Sequence, residues 1–123
     1  VLENMTSKLV FNLPQFDTGK YEDCEFVIKD ANATLTIHIY GLSDVVISFT
    51  RVRWHQFTAL YNCDADMIQD SYFKLVEVSP FRRLDAYIKN DRAPAKAYKS
   101  LHHYRIFLDE TGCHEVFAEA IST

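Results

Sequence analysis

Hydrophobic and polar residues alternate with period two through the first half of the chain, which is the pattern of strands with one buried face. Over residues 8–13, Leu9, Phe11 and Leu13 fall on one face, and Pro14 ends the run. Residues 21–29 set Cys24, Phe26 and Ile28 against Asp23, Glu25 and Lys29, and residues 33–40 set Leu35, Ile37 and Ile39 against Thr34, Thr36, His38 and Tyr40. The short polar break at Asp30, Ala31 and Asn32 joins these two runs into an antiparallel hairpin. Gly41 punctuates the next turn. Residues 44–57 are β-branched and aromatic and predict one long strand, with Val45, Ile47 and Phe49 on one face and Val46, Ser48, Thr50 and Val52 on the other.

The alternation stops at residues 62–70, where Asn62 or Asp64 is placed to cap one or two helical turns that turn Met67 and Ile68 inward. Strand character returns at residues 72–78. Ser79 followed by Pro80 reads as a helix start, and Phe81, Leu84 and Ile88 at spacings of three and four predict a helix near residues 80–90. Asn90, Asp91 and Pro94 end it, and residues 92–100 read as an exposed connection. A C-terminal β-hairpin follows, with strands at 102–109 and 113–121 joined by a three-residue G1-bulge loop that puts Gly112 in the left-handed position. In that register Tyr104, Ile106 and Leu108 share a face with Val116, Ala118 and Ala120, while Arg105 stands between Glu115 and Glu119 in a cross-strand charge ladder. The pattern predicts a single α+β domain over residues 1–123, with six or seven mostly antiparallel strands and one helix packed on the sheet.

Composition sets bounds on function. The 123 residues are 48% hydrophobic, enough for one core and too apolar for a disordered chain. The net charge of −4 argues against direct nucleic-acid binding, which rests on clustered Lys and Arg, and permits a basic partner. Cys24, Cys63 and Cys113 form no CxxC pair, which points to reduced thiols and a cytoplasmic location. No apolar run is long enough for a membrane span, and the first residues, Val1, Leu2, Glu3 and Asn4, show no signal-peptide pattern. A segment removed earlier would leave no trace in this sequence.

Catalytic and metal chemistry find little footing. P-loop, GxGxxG, HExxH and GxSxG motifs are lacking, and Gly19, Gly41 and Gly112 are isolated. Of the histidines, His38 and His55 stand alone, and His102-His103 and Cys113-His114 each send adjacent side chains to opposite faces of a strand, so neither pair builds one metal site. Cys113 beside a strand-facing His lacks anything that would activate a thiolate. The run Asp64 to Asp70 fails as an EF-type calcium loop, with Gln69 at the sixth position and Leu75 at the twelfth. No catalytic residue, metal or cofactor is therefore expected.

The same run offers a docking surface: Asp64, Asp66 and Asp70 to steer a basic partner, with Tyr61 and Tyr72 beside them to supply contact area. Tyr21 and Tyr40 are further aromatics on polar faces or beside turns. Arg51, Arg53 and His55 share a face of the long strand and are expected to pair with acids of a neighbouring strand. Two rival readings remain. One is an enzyme or small-ligand module with a pocket around Arg53, Trp54, His55 and Arg105; the other is an oligomeric subunit with an exposed strand edge.

Three segments carry a resemblance: Val52-Arg53-Trp54-His55-Gln56-Phe57; Tyr72-Phe73-Lys74-Leu75-Val76-Glu77-Val78 with the Ser-capped helix start; and His103-Tyr104-Arg105-Ile106-Phe107-Leu108-Asp109 through Gly112-Cys113-His114-Glu115-Val116. In this order they resemble small bacterial cytosolic proteins of the immunity type, encoded beside polymorphic or contact-dependent inhibition toxins. The resemblance covers the C-terminal two thirds and lies in strand and turn patterns, so it transfers no interface residue. It implies a protein without catalysis whose partner is a cognate toxin domain, such as a nuclease, neutralised by stoichiometric occlusion of its active site.

Overall fold

Alternate β-branched and aromatic positions, interrupted by turn residues, put most of the chain into strands. The structure, a computed structural model, describes residues 6–79 and 101–123. Its strands are β1 (Thr6–Asn12), β2 (Tyr21–Lys29), β3 (Asn32–Ile39), β4 (Val45–Ala59), β5 (Lys74–Ser79), β6 (His102–Leu108) and β7 (Gly112–Ser122), with one helix among the described residues, α1 (Ala65–Ser71). All seven form one antiparallel sheet in the order β1-β5-β6-β7-β4-β3-β2. The fold is α+β, as the pattern predicts. The helix expected near 80–90 and the connection at 92–100 lie outside the described residues. No helix among the described residues is long and apolar enough to cross a membrane.

The β2–β3 hairpin has the expected partners and closes on Asp30 and Ala31, both at positive φ (52° and 65°), a two-residue type I′ turn. Its tip is tied to β4, where the Arg51 amide donates to Asn32 Oδ1 at 3.1 Å and the Val52 amide to the Ala31 carbonyl at 2.6 Å. The sheet then curls. β2 stands three places from β7 in the ladder, yet Phe26 stacks on His114 at 5.7 Å and the Tyr21 hydroxyl meets Thr111 Oγ1 at 2.6 Å. The curl encloses the main core of Leu35, Ile37, Ile47, Phe49, Leu75, Ile106, Leu108 and Val116. Burying each such side chain contributes about 1.5–3 kcal/mol.

Three irregularities depart from simple alternation. In β1 the register slips so that Leu9 faces Val76 and Phe11 faces the adjacent Leu75. The two are on opposite faces, and only Phe11 packs on the core. In β4, Arg51 is left-handed (φ 54°), and a bulge sets Val52 opposite Ala118 but Trp54 opposite Phe117. The single face expected for Arg51, Arg53 and His55 is lost there. Arg51 pairs with Glu119 at 3.4 Å, while His55 lies opposite Val116 and against Phe26. At the start of β5, Phe73 is left-handed (φ 51°), so Tyr72 makes only an isolated bridge to Phe107.

The last hairpin has the expected partners and a three-residue loop, with Leu108 opposite Gly112. The left-handed residue is Glu110 (φ 68°), not Gly112 (φ 143°). Gly112 is needed for closeness as well: a Cβ there would lie 2.2 Å from the Thr58 carbonyl oxygen. Both faces of β6 and β7 are buried. Beyond the main core, Met67 of α1 packs on Phe107 and Cys113 in a second cluster. Arg105 does face Glu115 across the ladder, but inside the protein, and the expected second partner Glu119 pairs with Arg51.

Candidate partner-binding surface

α1 is short and owes its start to one side chain. Asp64 Oδ1 accepts the Met67 amide at 2.9 Å, filling one of the donors that a helix N-terminus leaves open. Asp66 in the first turn lies near the positive end of the helix dipole. Met67 anchors the helix into the second cluster, and the Ser71 hydroxyl donates back to the Met67 carbonyl. Arg105 reaches up from β6, donating through Nη2 to the Asp66 carbonyl at 3.4 Å and lying 3.9 Å from Asp70 Oδ2. Its Nε is buried without a hydrogen-bond partner.

The five residues expected to form a contact surface thus divide. Tyr61, in a 3₁₀ turn just before the helix, is 97% exposed, and Asp64 and Asp66 are exposed beside it in sequence. Asp70 is exposed but shares its carboxylate with Arg105. Tyr72 turns inward: its hydroxyl donates to Asp109 Oδ2 at 3.1 Å, and its ring stacks on Phe107 at 5.9 Å. Burial first, and the Asp109 carboxylate after it, push its phenol up. Tyr72 positions the helix end and the β6–β7 turn; it is not open contact area. Of the other tyrosines, Tyr40 is exposed and Tyr21 is tied to Thr111.

A second acidic surface escaped the sequence reading. The hairpin register sets Asp23 opposite His38, and Glu22, Asp23, Glu25, His38 and Asp44 line a surface groove of about 630 Å³. His38 Nδ1 bonds Asp44 Oδ1 at 2.9 Å, and Nε2 lies 3.7 Å from Asp23. That hydrogen bond, reinforced by the surrounding carboxylates, raises the His38 pKa. The signal was present in the pattern, since Asp23, Glu25 and His38 all occupy polar faces of paired strands.

Of the rival pocket's residues, His55 does not join Trp54 and Arg105. Trp54 stacks on Phe117 at 4.3 Å, on the side of the ladder where Arg105 lies, whereas His55 sits across the strand against Phe26. The sheet curl brings Cys24 Sγ to 3.6 Å from His114 Nε2. Burial pushes the Cys24 thiol up and, with the His55 charge, pulls His114 down to about 4. The pair is neutral on both sides, the opposite of an activated thiolate. His103 Nε2 and Glu115 Oε2 form a buried hydrogen-bonded pair at 2.7 Å, each side chain only 2% exposed. No group of three His, Cys, Asp or Glu among the described residues could hold a metal ion, and all three cysteines are free thiols.

Compared with family models, curated proteins and solved structures, the chain matches none. Its chemistry has to be read from its own residues.

Proposed function

We propose that the protein is a cytoplasmic, non-catalytic binding protein that neutralises a cognate toxin domain by occluding its active site. The observation that carries this reading is the exposed acidic end of α1, where Asp64, which also caps the helix, and Asp66 face solvent with Tyr61 fully open next to them in sequence. The wider charge agrees. The chain carries 17 acidic and 13 basic side chains, a net charge of −4. An acidic surface steers a basic one, such as the substrate cleft of a nuclease, and a rigid aromatic next to it supplies contact area. The partner face is Tyr61, Asp64 and Asp66, with Asp70 at its margin.

Co-expression with the toxin domain encoded beside this chain tests the function: growth is rescued and the two proteins co-purify. Neither rescue nor a complex would sink the reading. Replacing Asp64→Asn and Asp66→Asn together tests the face, because Asn retains the cap while the charge is lost. The association rate at low salt should fall on the order of tenfold, with a flatter salt dependence. An unchanged rate would move the contact elsewhere.

A further inference from the structure

β2 stands at the end of the sheet, paired with β3 on one side and with no described strand on the other. The hairpin turn dictates which of its backbone groups are already used. In a two-residue type I′ hairpin the closing pair, here Lys29 and Asn32, exchanges both its hydrogen bonds, and bonded and non-bonded pairs then alternate. Glu25, Val27 and Lys29 therefore bond to β3, and the amides and carbonyls of Cys24, Phe26 and Ile28 point to the open edge. Natural edges are blunted by proline, a bulge, an inward charge or charged side chains along the strand. From Cys24 to Lys29 this edge has no proline and no bulge, since its one register shift falls between Tyr21 and Asp23, and its two charges, Glu25 and Lys29, are of opposite sign. Two apolar side chains stand out along it, Val27 at 57% and Ile28 at 46% exposure.

We propose that this edge pairs with the same edge of a second copy of the chain, antiparallel, about a two-fold axis at Val27. The strand is self-complementary about that residue. An axis there sets Glu25 opposite Lys29 of the second copy, and by symmetry Lys29 opposite its Glu25, so two exposed opposite-charge pairs flank the centre. Val27 meets its counterpart at a non-bonded position, where side chains of facing strands come closest. Phe26 and Ile28 of the two copies exchange the open ladder hydrogen bonds, and each Ile28 lies beside a Phe26 ring that already packs on the core. Other axes fit worse. At Glu25 the two Glu25 carboxylates would face each other, and at Phe26 each Glu25 would face a valine. The contact is isologous and short, below the standard interface size, so the association is weak and reversible.

This inference goes beyond the toxin reading and does not depend on it. Sedimentation equilibrium of the full chain up to millimolar concentration should show a reversible monomer–dimer equilibrium. Glu25→Lys or Lys29→Glu alone sets like charges opposite each other and should weaken the dimer on the order of tenfold. The double variant Glu25→Lys/Lys29→Glu should restore it, and Val27→Lys should abolish it. All three positions are exposed, and urea unfolding should show each variant folded like the parent. A chain that stays monomeric at millimolar concentration overturns the proposal, as does a dimer indifferent to these substitutions. Loss in both single variants without restoration in the double overturns the register. A monomer whose β2 edge takes up an unrelated extended peptide would also overturn self-pairing.

Discussion

Acidification should destabilise the fold through one imidazole. His114 is 9% exposed, held between Phe26 at 5.7 Å and Phe57 at 4.9 Å, with Cys24 Sγ 3.6 Å from Nε2. Burial, and then the charge of His55, pull its pKa from 6.5 down to about 4. The unfolded chain binds the proton more readily than the folded one, so stability is full above pH 6.5 and falls as the pH drops toward 4. A gap of about 2.5 units corresponds to about 3 kcal/mol, of which about 2 kcal/mol is already lost at pH 5. That is a sizeable share of the roughly 5–15 kcal/mol expected of a domain. Carboxylates titrate in the same range, and His38, whose pKa is raised, works in the opposite direction. The measurement that isolates His114 is therefore a difference. Urea unfolding of the parent and of His114→Gln, a neutral polar replacement, should be followed between pH 7 and 4.5. The variant should start less stable at pH 7, and its deficit should shrink by about 2 kcal/mol by pH 5. Parallel stability curves would refute the argument, and so would a ring proton signal of His114 titrating near pH 6.5.

Two further expectations concern the elements beside the candidate surface. Gly112→Ala places a Cβ 2.2 Å from the Thr58 carbonyl at a φ of 143°, and should cost on the order of 2–4 kcal/mol in urea unfolding; a parent-like midpoint would mean that β4 yields easily there. Asp64→Ala removes the cap on the Met67 amide and should cost about 1 kcal/mol, whereas Asp64→Asn should cost a few tenths; equal losses would mean that the charge and not the hydrogen bond holds the helix.

Local pattern was enough for the elements whose neighbours are near in sequence. The alternation in β2, β3 and the last hairpin, and the acid that caps α1, are fixed by chemistry within a few residues. Alternation failed where the backbone carries an extra residue, at Val10 and around Arg51, because side chains beyond a bulge change face without any change in composition. It also could not foresee which strands are covered twice. His103, Arg105 and Glu115 look like solvent-facing residues of an antiparallel strand, yet they are interior, with α1 lying against Arg105 and the rings of Trp54 and Phe117 against His103. Tyr72 was misplaced for a related reason: Phe73 adopts a left-handed turn that rotates the tyrosine under the helix. Cys24 and His114 are ninety positions apart and meet only because the sheet curls.

The strand order bears on how the protein is made. β7, the last of the seven in sequence, is the middle strand of the sheet, between β6 and β4. Until the ribosome has released it, the earlier strands can form only two separate three-stranded halves, β1-β5-β6 and β4-β3-β2, each with an open inner edge. Local hairpin formation shields β3, but the long edge of β4 must wait for a partner more than fifty residues downstream. The nascent chain is therefore most exposed to wrong pairing in the interval between synthesis of β4 and emergence of β7, and a stall there would leave the two halves unjoined.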